Sequence, residues 1–293
     1  MNGRGPIAAA EPAQPEPGSQ GPAPALRPVG VFTPKRFGSE VAPVRLLEAD
    51  PDLSRAVPAE QAMHARRHSL TRAIAVNRRH WTPAEFSSAA NPAWLGLYVL
   101  SGLLVRRTRV GSRDAGELLG PGDLFRPWDE DHGYEPLAVE TDWLVLSPAR
   151  LAVLDHHFVA RMAPWPAVGA ALAGHLSDRV RQQAALQAIS HLPRADTRLL
   201  FTFWILADRM GTVRPDGVVV RLPVTHSVLA TLIGSHRPTV TIALRTLADD
   251  GLLRRTSRDE WLMTRAAVEA IAPLRGLPAA PRRVRPRGAA APL

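Results

Sequence analysis

Residues 222–264, LPVTHSVLATLIGSHRPTVTIALRTLADDGLLRRTSRDEWLMT, constrain the fold more than any other part of the chain. Thr225 can cap a first helix by offering its hydroxyl to the free N–H groups of the opening turn, and Leu229, Leu232 and Ile233 then fall on one face at helical spacing. Gly234 follows, where a left-handed backbone is needed to end one helix and aim the next across it. A second helix starts near Ser235 or His236, with Pro238 in its opening turn and Val240, Leu244 and Leu247 as its buried stripe, and ends at Gly251. Leu252 and Leu253 then lead into a basic hairpin that turns at Asp259 and Glu260 and returns through Trp261, Leu262 and Met263. Two short helices across a glycine turn, followed by a hairpin, spell a winged helix-turn-helix.

Subtracting the buried stripe leaves His236, Arg237, Thr239, Thr241, Ile242 and Arg245 on the outward face of the second helix. Most are long, cationic or hydroxylated groups of the kind that reach base edges and phosphates in a major groove, and no acid interrupts them until Asp249. Arg254 and Arg255 in the hairpin, or wing, are candidates for phosphate contact. Periodicity alone leaves a helical pair used for packing about equally open.

The ordered set of residues moves that balance. Thr225, Leu229-Ala230, Leu232, Ile233-Gly234, Arg237, Thr239-Val240, Leu244, Leu247 and Gly251-Leu252-Leu253 together resemble the DNA-binding domain of the Crp/Fnr superfamily of bacterial transcription regulators. The resemblance implies that Arg237 reads a base, most often guanine, that Thr239 contacts base or backbone beside it, and that Thr225 and Ser227 hold phosphates. Two positions depart from the family's pattern: Pro238 stands where glutamate is common, and Ile242, restricted to apolar contact such as a thymine methyl, stands at a second reading position. The preferred DNA sequence is therefore expected to differ from the family's best-known sites.

The resemblance extends back to about Leu95. Residues 95–111 are apolar and β-prone, interrupted by Ser101-Gly102, and read as two strands joined by a turn; residues 137–146 read as another strand pair around Thr141-Asp142. Between them, residues 117–125, with Gly120-Pro121-Gly122-Asp123 as turn chemistry, are similar to a stretch of cyclic-nucleotide-binding domains. In nucleotide-binding members that phenylalanine is followed by Gly-Glu and later by an arginine that cradle the cyclic phosphate. Here Phe125 is followed by Arg126-Pro127-Trp128 and then Asp129, Glu130, Asp131 and His132, so neither cAMP nor cGMP is expected to bind in the usual way.

The acidic run 129–132 reads as a solvated loop in preference to a cation site, because no second spaced ligand set accompanies it. His156-His157 point too far apart on a helix to grip one ion, so no metal is expected. Zero cysteine excludes disulfides and a thiolate-held iron–sulfur cluster. A haem on His64, His68 or His80 stays open without support, and the structure of residues 59–94 is not read from the sequence. No phosphate-cradling loop, nucleophile elbow or paired-carboxylate motif appears, so catalysis is not expected.

Ser147-Pro148 reads as the cap and first turn of a helix buried through Leu151, Leu154 and Phe158. A long helix runs from Pro166 to about Ile189, with Val168, Leu172, Leu176 and Val180 recurring on one side; its place between sensor and reader favours a dimer seam over a core helix, with His175 and Gln183 as polar seam groups. Residues 196–210 form a further helix, 212–222 a small hairpin, and a last helix runs from about Thr264 to Leu274.

The expected layout is α+β. It runs as a disordered Pro/Ala-rich segment (1–42), a jelly-roll (double-stranded β-helix) sensor barrel (43–162), a dimerisation helix (163–191), a winged helix-turn-helix (192–275) and a basic disordered tail (276–293). Residues 1–42 have no apolar core of a signal peptide, and the 28 prolines leave no window apolar for long enough to span a bilayer, so a soluble cytoplasmic protein is expected. The net charge of +9 suits a polyanion, although Lys35 is the only lysine and an arginine-rich composition dilutes that inference. With the resemblance, these features imply a homodimer on a pseudo-palindromic duplex, acting through or against RNA polymerase, with an effector that no residue identifies. A constitutive DNA-binding dimer with a relic barrel, and a protein-interaction scaffold that binds no DNA, stay open.

Overall fold

A computed structural model describes residues 41–77, 80–83, 94–128 and 139–271. Its first half is one seven-stranded antiparallel sheet: β1 (Val41–Arg45), β2 (Leu70–Val76), β3 (His80–Trp81), β4 (Gly96–Val110), β5 (Arg113–Leu119), β6 (Leu124–Phe125) and β7 (Val139–Leu154). The main order is β1-β2-β7-β4-β5, with β3 paired to β7 and β6 to β4; among the described residues the ladder does not close into a barrel. Helices α1 (Leu46–Ala49), α2 (Pro51–Ser54) and α3 (Ala59–His68) lie between β1 and β2 in the chain. The acidic run 129–132, residues 1–40 and the tail beyond Ile271 lie outside the described residues.

Two strand readings are corrected. β4 is a single strand of 15 residues and β7 one of 16, with no turn at Ser101-Gly102 or at Thr141-Asp142. The two run side by side along nearly their whole length, and Arg107↔Asp142 and Thr108↔Thr141 are cross-strand partners. Ser101-Gly102 is a bulge. The register passes from Ser101↔Arg150 to Leu103↔Ser147, which skips Pro148 and Ala149. Gly102 takes φ +90°, and a Cβ there would stand 2.4 Å from the Pro148 carbonyl oxygen. Pro148 therefore falls where no ladder N–H is required, so a proline that reads as a helix start is tolerated within a strand. The helix begins later, as α4 (His156–Met162), capped by Asp155, whose carboxylate accepts from the Phe158 N–H at 2.9 Å.

Period-two alternation divides the sheet's side chains. Leu97, Val99, Leu104, Leu119, Phe125, Val145 and Val153 face an aromatic interior with Trp94, Trp128 and Trp143, while Trp81 packs against it. Tyr98, Ala152 and Leu154 face the other way, onto Leu46, Leu47, Leu53 and Phe158. Leu103, Val105, Leu118 and Leu146 share a third cluster with the C-terminal half of the chain. With three buried clusters to serve, β4 is apolar over residues 96–105 save Ser101, and β7 over 143–154 save Ser147, Pro148 and Arg150, while the opposite ends of both are polar.

The second half opens with α5 (Pro166–Ser190), which matches the expected long helix. It continues through α6 (Ala195–Met210), β8 (Thr212–Arg214), β9 (Gly217–Arg221), α7 (His226–Leu232), α8 (Arg237–Asp249), β10 (Leu253–Ser257), β11 (Glu260–Thr264) and α9 (Arg265–Ile271). The four strands form an antiparallel sheet in the order β10-β11-β9-β8. Phe203, Leu206, Leu229, Val240, Leu244, Leu247, Trp261 and Met263 fill the core between that sheet and the helices. No helix of the described residues is long and apolar enough to cross a membrane.

Candidate nucleic-acid interface

The reader is built by short-range signals. The Thr225 hydroxyl accepts from the Val228 N–H at 3.3 Å and opens α7. The helix closes with Ser235 N–H donating to Ala230 O at 2.8 Å and Gly234 N–H to Thr231 O at 3.4 Å, with Gly234 at φ +59°. This Schellman arrangement satisfies the last carbonyls and turns the chain into α8. The same device ends α8: Leu252 N–H donates to Leu247 O at 2.9 Å, Gly251 N–H to Ala248 O at 3.0 Å, and Gly251 sits at φ +69°. Arg198 of α6 pins the turn from below, donating to Ile233 O and Gly234 O, both at 3.3 Å. Sequence reading missed this arginine, because its partners lie 35 and 36 residues away.

With Val240, Ala243, Leu244 and Leu247 buried, α8 presents His236, Arg237, Thr239, Thr241, Ile242 and Arg245 to solvent. Ile242 is 68% exposed, so an aliphatic side chain stands in water on a helix whose other apolar residues are largely covered. Thr241 is also engaged locally: its hydroxyl donates to Arg237 O at 3.1 Å and lies 2.9 Å from the His226 ring nitrogen. Arg245 approaches Asp249 at 3.9 Å one turn along, in full solvent, a contact too exposed to hold it. Thr225 and Ser227 are exposed at the start of α7.

The wing is the hairpin β10–β11, irregular between Arg255 and Ser257. Arg254 is exposed. Arg255 lies over the Trp261 ring at 5.1 Å and donates to Ser257 O at 3.2 Å and to Arg258 O, which stiffens the wing's end. Trp261 is itself anchored, its indole N–H donating to Leu222 O at 3.2 Å. The candidate base and phosphate groups are thus presented together along one reader domain by a buried apolar frame.

Residues 197–268 match the family of the Crp-like helix-turn-helix domain. Those residues therefore form a domain of the Crp-like helix-turn-helix kind. Among solved structures, a CooA mutant from Carboxydothermus hydrogenoformans superposes at TM-score 0.50 with 18% identity, covering 66% of this chain and 83% of that one. A cyclic nucleotide-binding domain containing protein from Listeria monocytogenes EGD-e superposes at TM-score 0.53 with 15% identity, covering 66% and 89%. Both show a shared fold. A transcriptional regulator of the CRP/FNR family from Thermus thermophilus aligns at TM-score 0.47 with 20% identity, covering 70% and 98%. No curated protein matches the chain.

In the N-terminal sheet, the Gly120-Pro121-Gly122-Asp123 turn makes contacts that its sequence did not indicate. Asp123 of the Gly120-Pro121-Gly122-Asp123 turn accepts from the Gly120 N–H at 2.7 Å and pairs with Arg209 of α6. Glu117 of β5 receives Arg179 of α5 through two hydrogen bonds at 2.5 and 2.8 Å, and Arg106 of β4 at 2.8 Å. Burial pushes the Glu117 carboxyl up, but the Arg179 hydrogen bonds and the Arg179 and Arg106 charges outweigh it and hold it below the ordinary glutamate range. Arg106 faces Glu117 across the β4–β5 ladder, whereas the Glu117–Arg179 and Asp123–Arg209 pairs were not legible from spacing along the chain. Arg126 and Trp128, which replace the expected phosphate cradle, pack together, with the guanidinium 5.8 Å from the indole centroid. Trp128 is buried edge-on to Trp94.

The long helix divides unevenly. Val168 and Leu172 are buried in the chain's own core beside Trp165, Phe158 and Leu124, which removes them from the expected seam. Leu176 and Val180 stay 40% and 68% exposed. Of the two expected seam polar groups, His175 faces inward and meets the Tyr98 ring edge-on at 5.9 Å, and Gln183 is half-buried. Of the histidines left open for haem, His64 and His68 stack on each other at 4.3 Å and lie against Trp165. His156 and His157 likewise stack at 3.9 Å, and no group of three metal-ligating side chains occurs among the described residues.

Proposed function

We propose that the chain is a sequence-specific DNA-binding transcription regulator that acts as a homodimer on a pseudo-palindromic operator. The observation that carries this reading is the exposed face of α8, free of acids until Asp249, with Arg237 at its first turn and Thr239, Ile242 and Arg245 behind it, held out by a buried opposite face. A helix of that size fits the major groove, where Arg237 would donate in a fork to guanine and Ile242 would touch a thymine methyl. Thr225, Ser227, Arg254 and Arg255 flank it as phosphate contacts that set register.

Leu176 and Val180 support the dimer. Together with Ala173 and Ala184 they form an apolar stripe of small and branched residues along the outer side of α5, open to a second copy. Two readers related by that seam would enter successive major grooves about one helical turn, roughly 34–36 Å, apart. Activation through contact with RNA polymerase and repression by occlusion are both consistent with that placement.

The sensor takes neither cAMP nor cGMP in the usual way. Arg126 and Trp128 are occupied with packing, Pro127 offers no N–H, and an indole-rich interior replaces an anion cradle. Titration with labelled cyclic nucleotide checks this, and micromolar binding would contradict it. The central reading is tested by selecting duplexes from a random pool with purified full-length protein. An enriched inverted repeat supports it, whereas enrichment of nothing, despite retained folding, overturns it.

A further inference from the structure

The Gly120-Pro121-Gly122-Asp123 turn resembles part of a nucleotide-binding domain by sequence, yet in this structure it is where the sensor grips the reader. Asp123 is buried at 6% exposure and Glu117 at 5%, and both carboxylates are directed at arginines of other elements. Arg209, near the C-terminal end of α6, pairs with Asp123 and also donates to Gly120 O at 3.4 Å and to Gln182 of α5 at 3.2 Å. Arg179 of α5 joins Glu117 to the Leu124 carbonyl, donating to that oxygen at 3.0 Å. One residue of each arm thus belongs to β5 or the turn after it, and the other to α5 or α6.

Beside these ion pairs the contact is apolar and close. A Cβ on Gly116 of β5 would lie 3.1 Å from the Thr231 methyl and 3.2 Å from the Leu232 side chain of α7, so the first reader helix rests directly on the strand. Leu103, Val105, Leu118 and Leu146 of the sheet belong to the same buried cluster as Leu206, Leu229, Leu232 and Ile233 of the reader. The turn is also continuous with the sensor interior. Two residues after Asp123, Phe125 packs on Trp143 at 5.1 Å and meets Trp81 edge-on at 6.3 Å.

We propose that Asp123, Glu117, Arg179 and Arg209 form a positioning latch, which fixes the docked orientation of the reader and ties it to the aromatic interior of the sensor through β6. Any occupant or rearrangement of that interior that displaces Phe125 moves Leu124 and Asp123 with it, since they are adjacent in the chain, and so acts on Arg179 and Arg209. In its regulatory consequence this rests on the DNA-binding reading; in its structural content it does not. A buried carboxylate with a guanidinium partner suits such a role because separating the pair leaves a charge without its counter-charge, which makes the docked state discrete.

Hydrogen–deuterium exchange on the full-length chain tests the latch without DNA. Arg209→Gln leaves the Asp123 bond to Gly120 intact, and is expected to raise exchange at least 5-fold in both the β5 and α7 peptides while the β9 and β11 peptides stay as in the parent. Asp123→Asn added to Arg209→Gln should change little further, since the pair is already broken. Because the chain has no cysteine, Gly116→Cys with Thr231→Cys provides a second measurement. Oxidative cross-linking between them should slow at least 5-fold when Arg209→Gln is present. Parental exchange in β5 and α7, or an unchanged cross-linking rate, overturns the proposal. A third arm measures affinity for the selected duplex, expected to shift at least 5-fold in Arg209→Gln although Arg209 lies off the reading face. If the parent binds no duplex at all, the functional reading fails while the exchange result still decides the latch.

Discussion

The arginines on the reader's surface and those beneath it are the same side chain in opposite situations. Arg237, Arg245 and Arg254 stand exposed on α8 and the wing. Arg179 and Arg209 keep only 18% and 20% of their side-chain surface and are matched to carboxylates that keep 6% and 8%. An exposed guanidinium contributes little to stability and is free to meet an external anion, whereas a covered one is committed to its partner. A net charge of +9 therefore does not itself locate the polyanion surface; burial does.

The comparison is broken most forcefully at the covered end. Glu117→Ala leaves Arg179 and Arg106 without their shared carboxylate, and a loss of about 3 kcal/mol of unfolding free energy is expected in a urea titration, near the lower end for a broken buried pair because Arg106 keeps part of its surface in water. The same pair sets an acid response. Because the folded-state carboxyl titrates below its unfolded value, its contribution is complete above the unfolded pKa of about 4.3 and is lost as pH falls through the folded value. Denaturant midpoints followed downward from pH 5 should therefore fall less steeply in Glu117→Gln than in the parent.

At the exposed end, Arg237→Ala should cost about 1–3 kcal/mol of specific duplex binding, relax discrimination at one base pair and leave unfolding unchanged. Anisotropy with matched and single-mismatch duplexes reads both effects. Thr225→Ala removes the hydroxyl that caps α7 and should cost about 1 kcal/mol of stability by thermal unfolding. Arg245→Ala should alter stability by less than about 0.5 kcal/mol, since its contact with Asp249 is long and solvated. A larger loss there would show that the surface and interior arginines are less distinct than the structure implies.

Legibility follows the same division. The reader was readable because its signals are local: a threonine cap, two glycines at φ +59° and +69°, and a stripe of period 3.6 that separates covered from open positions. The sensor was read as strands, but the bulge at Gly102 looked like a turn, because a glycine marks both and only the facing strand decides between them. Ser147-Pro148 looked like a helix start for the same reason, and the actual cap lay eight residues on, at Asp155. On α5 the apolar stripe predicted a partner face but not which partner: Val168 and Leu172 meet their own chain, and Leu176 and Val180 are left open. Glu117 and Asp123 carry no sequence sign of their partners on the helices, Arg179 and Arg209, which are 62 and 86 residues away.

The most direct test is competition between the selected inverted repeat and a shuffled duplex of equal length and composition, for full-length protein at one fixed salt concentration. A base-reading dimer should prefer the repeat by about 10³-fold or more. Equal, salt-governed affinity for both duplexes, or affinity for neither, would contradict the account.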